Sequence, residues 1–141
     1  MNEPTEVPTV LMDAMMGSPA WLLVWLFFLM LANMGALAFI YRREDGERRF
    51  RPECAAILFS FMAAAAAMEV IFASYGYVRL LGLGHLIFWT PTYLWILSRR
   101  SAIGTETGFG RYVHFYLVIA GISLVIDTID VIRYALGDGA L

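Results

Sequence analysis

The sequence predicts an all-α integral membrane protein whose four transmembrane helices form one bundle, with both termini outside the cytoplasm. Composition is the first observation, since 60% of the 141 residues are hydrophobic and 16% are charged. A soluble domain usually has about 45–50% apolar and about 25% charged residues. The second observation is that several apolar runs approach or exceed the roughly 20 residues that cross the hydrocarbon core of a bilayer. The third is the uneven distribution of arginine along the chain.

The apolar runs define a single domain over residues 18–136, with predicted spans at about 19–41, 54–75, 80–97 and 112–136. Ser18 and Pro19 mark the start of the first span, because serine favours the N-cap and proline the first helical position. Asn33 inside this span is expected to hydrogen-bond to another helix. Five consecutive alanines at 63–67 favour close packing of the second span. Pro91 removes a backbone donor from the third span, and we interpret it as a hinge.

Hydrophilic segments occupy the rest of the chain. Residues 1–17 are expected to form an extracytoplasmic acidic tail, either disordered or containing a short helix on the membrane surface. Residues 42–53 and 98–111 are expected to be arginine-bearing loops, and residues 137–141 a short tail. None of these segments is long enough to form a second domain.

Arginine placement predicts the orientation of the bundle. The chain has 10 basic residues, all of them arginine. Only Arg79 and Arg133 lie toward the side of the termini. The others lie in the segments after the first and third spans: Arg42, Arg43, Arg48, Arg49, Arg51, Arg99, Arg100 and Arg111. Because short arginine-rich loops remain in the cytoplasm, we expect an N-out/C-out protein of the bacterial inner membrane.

Ionisable side chains inside the predicted spans are the candidate functional residues. A charged group at the bilayer centre costs roughly 2.5–3.5 kcal/mol on insertion scales, so it seldom lies there without a role. Asp127 and Asp130 share one face of the last span, which Ser123 and Tyr134 extend. From a rise of about 1.5 Å per residue, one outward-facing cluster is expected, made of Glu69, His85, Asp127 and Asp130, with Arg79 and Arg133 tuning its charge.

This cluster is expected to bind protons or cations in a small channel or transporter, since carboxylates inside a bundle can carry either. Four short spans seldom enclose a pore alone, so we expect a homo-oligomer in the lipid bilayer. The alternative is a structural, accessory or ligand- or metal-sensing module in which the cluster pins the helices together. No cofactor is required, although the same four residues, Glu69, His85, Asp127 and Asp130, would suit a divalent metal such as Zn, Mn or Fe.

Other classes of function find little support in the sequence. Cys54 is the single cysteine, which excludes an internal disulfide and a CxxC redox centre. The chain shows no nucleophile elbow, Cys/His pair or phosphate-binding loop, so an enzyme is not expected. No basic run resembles a nucleic-acid-binding patch, and nucleic acid is not an expected partner.

Overall fold

The computed structural model describes residues 11–76 and 78–138, and most of them are helical. The helices are α1 (Leu11–Met16), α2 (Ala20–Met34), α3 (Ala36–Phe39), α4 (Pro52–Tyr75), α5 (Gly82–Ser98), α6 (Arg100–Ile103) and α7 (Gly108–Ala135). A hairpin of β1 (Tyr41–Glu44) and β2 (Glu47–Phe50) precedes α4, and a 3-10 turn, Arg79–Leu81, precedes α5. Of the two predicted tails, residues 1–10 and 139–141 lie outside the described residues, whereas α1 forms part of the first.

Four helical segments of the described chain are long and apolar enough to cross a membrane, which confirms the predicted all-α class. They are Ala20–Phe39 (α2 with α3), Pro52–Tyr75 (α4), Arg79–Ser98 (the 3-10 turn with α5) and Gly108–Ala135 (α7). Their outward faces carry large apolar side chains, among them Trp21, Phe59 and Ile129. An apolar exterior of this extent is typical of helices that face lipid.

The arginine-rich segment expected to be a loop at 42–53 forms most of the β-hairpin, which begins at Tyr41. Asp45 and Gly46 form its two-residue turn, with φ angles of 53° and 80°. Both angles are left-handed, as a type I′ turn requires, and an Asp-Gly pair adopts them at little cost. The strand register places Arg42 opposite Arg49 and Arg43 opposite Arg48. The hairpin therefore places these four arginines on two paired strands at one end of the bundle.

The core lies between α4, α5 and α7, and α2 packs on α7. Its largest buried side chains include Trp89 of α5 and Tyr116 of α7. The helices α4 and α5 approach closely at Gly84, where an added Cβ would lie 3.1 Å from the carbonyl oxygen of Ala64. Ala64 belongs to the run of five alanines, so small residues on both helices permit this contact.

Two further glycines make room for tyrosines of neighbouring helices. A Cβ added to Gly35 would lie 2.6 Å from the ring of Tyr112, and one added to Gly121 would lie 2.6 Å from the hydroxyl of Tyr93. Tyr112 also donates a hydrogen bond to the carbonyl oxygen of Ala32. These contacts attach α2 and α5 to α7 within one chain.

Asn33 makes a different contact from the one expected from the sequence, and Pro91 lies within a continuous helix. The Asn33 amide is buried, yet its Nδ2 donates to the carbonyl oxygen of Leu29 in its own helix at 2.8 Å, not to another helix. Short polar side chains often bond to the backbone one turn earlier in this way. Pro91 lies inside α5, which is helical from Gly82 to Ser98 without a break. Its role as a hinge stays a prediction.

Candidate functional site

A largely buried histidine–aspartate pair joins α5 to α7. His85 Nδ1 lies 2.8 Å from Asp127 Oδ2, and the two side chains are 15% and 13% exposed. Ser123, one turn earlier on α7, donates to the same carboxylate oxygen at the long distance of 3.5 Å. An imidazole and a carboxylate in direct contact can exchange a proton, so this pair is the part of the bundle best suited to proton chemistry.

Gly82 and Trp89, both on α5, set the geometry of the pair. A Cβ added to Gly82 would lie 3.0 Å from Asp127 Oδ1 and 3.1 Å from Asp127 Cβ. The missing side chain lets the first turn of α5 approach Asp127, and the partial positive charge of a helix N-terminus stabilises a carboxylate there. Trp89 follows His85 by one turn, and the centres of the two rings are 4.0 Å apart in a stacked arrangement. Because Trp89 is fully packed in the core, it holds the plane of the imidazole.

A second set of charges lies at the same end of the bundle. Arg79 Nη1 donates to Asp130 Oδ1 at 2.5 Å, and the two side chains are 17% and 19% exposed. Arg79 Nε also lies 3.9 Å from Asp138 Oδ2, and Asp138 forms an ion pair with Arg133. Two arginines and two aspartates thus neutralise one another. Their contacts tie the turn before α5 to the C-terminal end of α7.

The structure separates Glu69 from the other residues of the predicted cluster. Glu69 is exposed on α4, and in the described part of the chain no hydrogen bond or ion pair reaches it. His85 contacts Asp127 and not Glu69. The remaining members lie at one end of the bundle in the contacts described above: Arg79, His85, Asp127, Asp130 and Arg133.

The predicted metal ligands do not form a common site. Across residues 11–76 and 78–138, no group of three or more His, Cys, Asp or Glu side chains comes close enough to hold a metal ion. Asp127 and Asp130 have separate basic partners. Of the four candidates, His85 and Asp127 pair with each other. Asp130 pairs with Arg79, and Glu69 contacts none of the other three.

The substitution Asp130→Asn tests the ion pair with Arg79. It keeps the size of the side chain but replaces a charged acceptor by a neutral one, so we expect the free energy of unfolding to fall by about 1 kcal/mol. Thermal unfolding in detergent, followed by circular dichroism, measures the change. Asp13→Asn on α1 is the control, because Asp13 is exposed. Equal melting temperatures for the two variants would show that the Arg79–Asp130 contact contributes no stability.

A polar contact that the sequence analysis missed lies at the opposite end of the bundle. Glu53, 6% exposed, accepts a hydrogen bond from Arg99 Nε on Oε1 at 3.1 Å. Arg99 Nη2 forms an ion pair with the same oxygen at 3.0 Å. The sequence signal at Glu53 was its position directly after Pro52, which marks a helix start because acidic residues favour the first turn of a helix. The partner was not readable, since Arg99 is 46 positions further along the chain.

Comparison of the chain with protein families, with curated proteins and with solved structures finds no match. Function is therefore inferred from the residues of this chain alone. Two polar regions at opposite ends of an apolar bundle provide the basis for it.

Proposed function

We propose that this chain is a small polytopic membrane protein that forms an oligomeric channel or transporter for protons. The observation that carries the proposal is the His85–Asp127 pair, with its 2.8 Å contact between largely buried side chains of two membrane-length helices. Electrostatic interactions are stronger in a low-dielectric interior than in water. Histidine and aspartate side chains inside membranes recur in proton relays.

A proton suits this pair better than another cation does. The carboxylate of Asp127 is in contact with His85, and that of Asp130 is in contact with Arg79. A metal ion would therefore have to displace a basic group from either carboxylate. Calcium takes six to eight oxygen ligands, and magnesium demands near-octahedral coordination. A proton needs a single lone pair, which either the imidazole or the carboxylate provides.

Glu69 supports assembly into a homo-oligomer. It is exposed on α4, six positions before the helix ends at Tyr75, and therefore lies about 9 Å inside the helix end. A carboxylate that faces lipid at such a depth is unfavourable, and a polar group from a second copy packed on this face would satisfy it. Ala66 and Ala73 are exposed on the same face, where small side chains let another helix approach closely.

The distribution of arginine supports the N-out/C-out orientation in a bacterial inner membrane. The two arginine-rich connections meet at one end of the bundle, since Arg99 binds Glu53 and Arg51 lies over the ring of Phe109. Arginine-rich ends remain in the cytoplasm. The His85–Asp127 pair then faces outward, with Arg79 adjusting its charge from the same end.

Proton flux through the purified protein in liposomes under an imposed pH gradient tests the proposal. We expect the wild-type protein to conduct protons. We expect Asp127→Asn to abolish this flux while retaining the helix content measured by circular dichroism. Asp13→Asn is the control, because it removes a carboxylate on α1 that lies outside the pair, and it should conduct like wild type. Absence of wild-type flux, or equal flux through the two variants, would refute the proposal.

A second candidate function is a structural module in which the charged pairs only hold the helices together. The Arg79–Asp130 ion pair favours it, because this contact satisfies both charges without any ligand. Under this function, liposomes with wild-type protein would show no flux in proton, sodium, potassium or calcium gradients. Asp127→Asn would then lower the melting temperature in detergent, since it weakens a contact between α5 and α7.

A further inference from the structure

An open cavity of about 480 Å³ lies at the arginine-bearing end of the bundle, between the hairpin and the helices α4, α6 and α7. Its charged lining consists of Arg42, Arg49, Arg51, Arg99 and Glu53. Four of these five charged lining residues are therefore arginines. Concave surfaces lined by one sign of charge concentrate ions of the opposite sign, so the cavity attracts anions.

Two of these arginines are held in place by other groups. Arg51 Nη1 donates to the carbonyl oxygen of Phe39 at 3.0 Å, and its guanidinium carbon lies 4.0 Å from the centre of the Phe109 ring. Arg99 is oriented by its two contacts with Glu53. A guanidinium has five N–H donors, so these contacts leave donors for a ligand. Side chains that are already ordered lose little conformational entropy on binding.

The hairpin contributes the other two arginines. Arg42 and Arg49 are direct partners in the strand register, and both line the cavity. Directly opposite residues of a strand pair lie on the same face, so both guanidinium groups belong to one wall of the cavity.

Two long helices also begin at the cavity. Pro52 is the first residue of α4 and Thr107 is the N-cap of α7, and both line the cavity. The partial positive charge at a helix N-terminus favours anions. The helix ends therefore add to the field of the arginines.

We propose that this cavity binds a phosphate group, carried either by an anionic phospholipid headgroup or by a soluble phosphate compound. Arginine binds phosphate through two parallel N–H···O bonds, which a single guanidinium can supply. Basic pockets between membrane helices on the cytoplasmic side bind anionic lipid headgroups. The site is independent of the proposed proton pair, because the two lie at opposite ends of the bundle.

Binding to the purified chain in neutral detergent tests the site. The probes are phosphatidylglycerol and phosphatidylcholine with identical acyl chains, followed by native mass spectrometry, and inorganic phosphate, followed by the melting temperature. We expect phosphatidylglycerol to bind and Arg49→Gln to weaken it at least about tenfold, the loss of one charged hydrogen bond. Arg48→Gln is the matched control, because neighbouring strand residues point to opposite faces. Its binding should stay within about twofold of wild type.

The outcomes separate the two sources of phosphate. A headgroup site binds phosphatidylglycerol with the Arg49 dependence and is unaffected by inorganic phosphate, whereas a soluble-phosphate site shows a phosphate-dependent melting temperature that Arg49→Gln removes. Arg42→Gln should weaken binding like Arg49→Gln, which guards against a local defect of one variant. Equal effects of Arg48→Gln and Arg49→Gln would overturn the proposal. So would a protein that neither binds phosphatidylglycerol nor changes its melting temperature with inorganic phosphate.

Discussion

Trp89→Ala is expected to lower the free energy of unfolding by about 3 kcal/mol. Trp89 is 1% exposed in the middle of the core, and its ring supports the imidazole of His85. In water, such a change costs about 3–5 kcal/mol, from lost hydrophobic transfer and from the cavity left behind. Lipid tails are as apolar as a protein core, so the cavity term dominates in a membrane. The value therefore falls at the lower end of the range.

Detergent-solubilised protein titrated with sodium dodecyl sulfate, with helix packing followed by near-ultraviolet circular dichroism, measures this change. Trp95→Ala is the matched control on the same helix, because Trp95 is 39% exposed. Its contact with Arg99 spans 5.5 Å, and its loss should cost less than about 1 kcal/mol. If both variants unfold at the same detergent composition, Trp89 is not a packing centre of the bundle.

Gly110→Ala is expected to lower the free energy of unfolding by roughly 2–4 kcal/mol, combining overpacking with loss of a helix cap. A Cβ at this position would lie 2.3 Å from the carbonyl oxygen of Gly104. That oxygen belongs to the backbone, so no side-chain rotation relieves the contact, and the loop before α7 must move. The movement also strains the hydrogen bond from the Gly110 amide to Thr107 Oγ1, now 3.0 Å.

Gly108→Ala is the matched control for this substitution, two positions away on the same helix. A Cβ on Gly108 would lie 3.7 Å from Phe39 Cε1, an ordinary contact. Alanine is favoured over glycine in helices by about 0.8–1.0 kcal/mol, so this variant should be as stable as wild type or slightly more stable. The thermal melting temperature of Gly110→Ala should therefore fall, whereas that of Gly108→Ala should stay at the wild-type value or rise slightly. Equal destabilisation would mean that α7 tolerates no alanine in its first turn.

In the hairpin segment, the charged composition favoured the prediction of a loop, although one dipeptide indicated a tight turn. Five arginines within residues 42–51 indicate a solvated segment, and a hydrophilic loop was the expectation. The Asp45-Gly46 pair was the local signal for a two-residue turn. Its flanking residues are charged, not alternately apolar, so the usual strand pattern is missing. The strands pair through their backbones at the end of the bundle, where one face is not required to be apolar.

Glu69 shows why depth along a helix does not locate a side chain. Glu69 and Asp127 were expected at similar depths, but depth leaves the rotation of each helix about its axis undetermined. The rotation of α4 is set by packing, since Ala64 turns toward Gly84 of α5. Glu69 then lies on the exposed side. For α7, the same kind of packing directs Asp127 toward His85.

The sequence by itself determined the helical class, the four long apolar helices and the placement of most arginines in two connections. These properties follow from residue types read along the chain, because the length and apolarity of a helix are local. Only the tertiary structure decided which charges meet, pairing His85 with Asp127 and Glu53 with Arg99. The physical reason is that these helices are apolar on nearly all sides, so hydrophobic periodicity does not identify the buried face. Close contacts at small residues such as Gly82 and Gly84 determine the buried face instead.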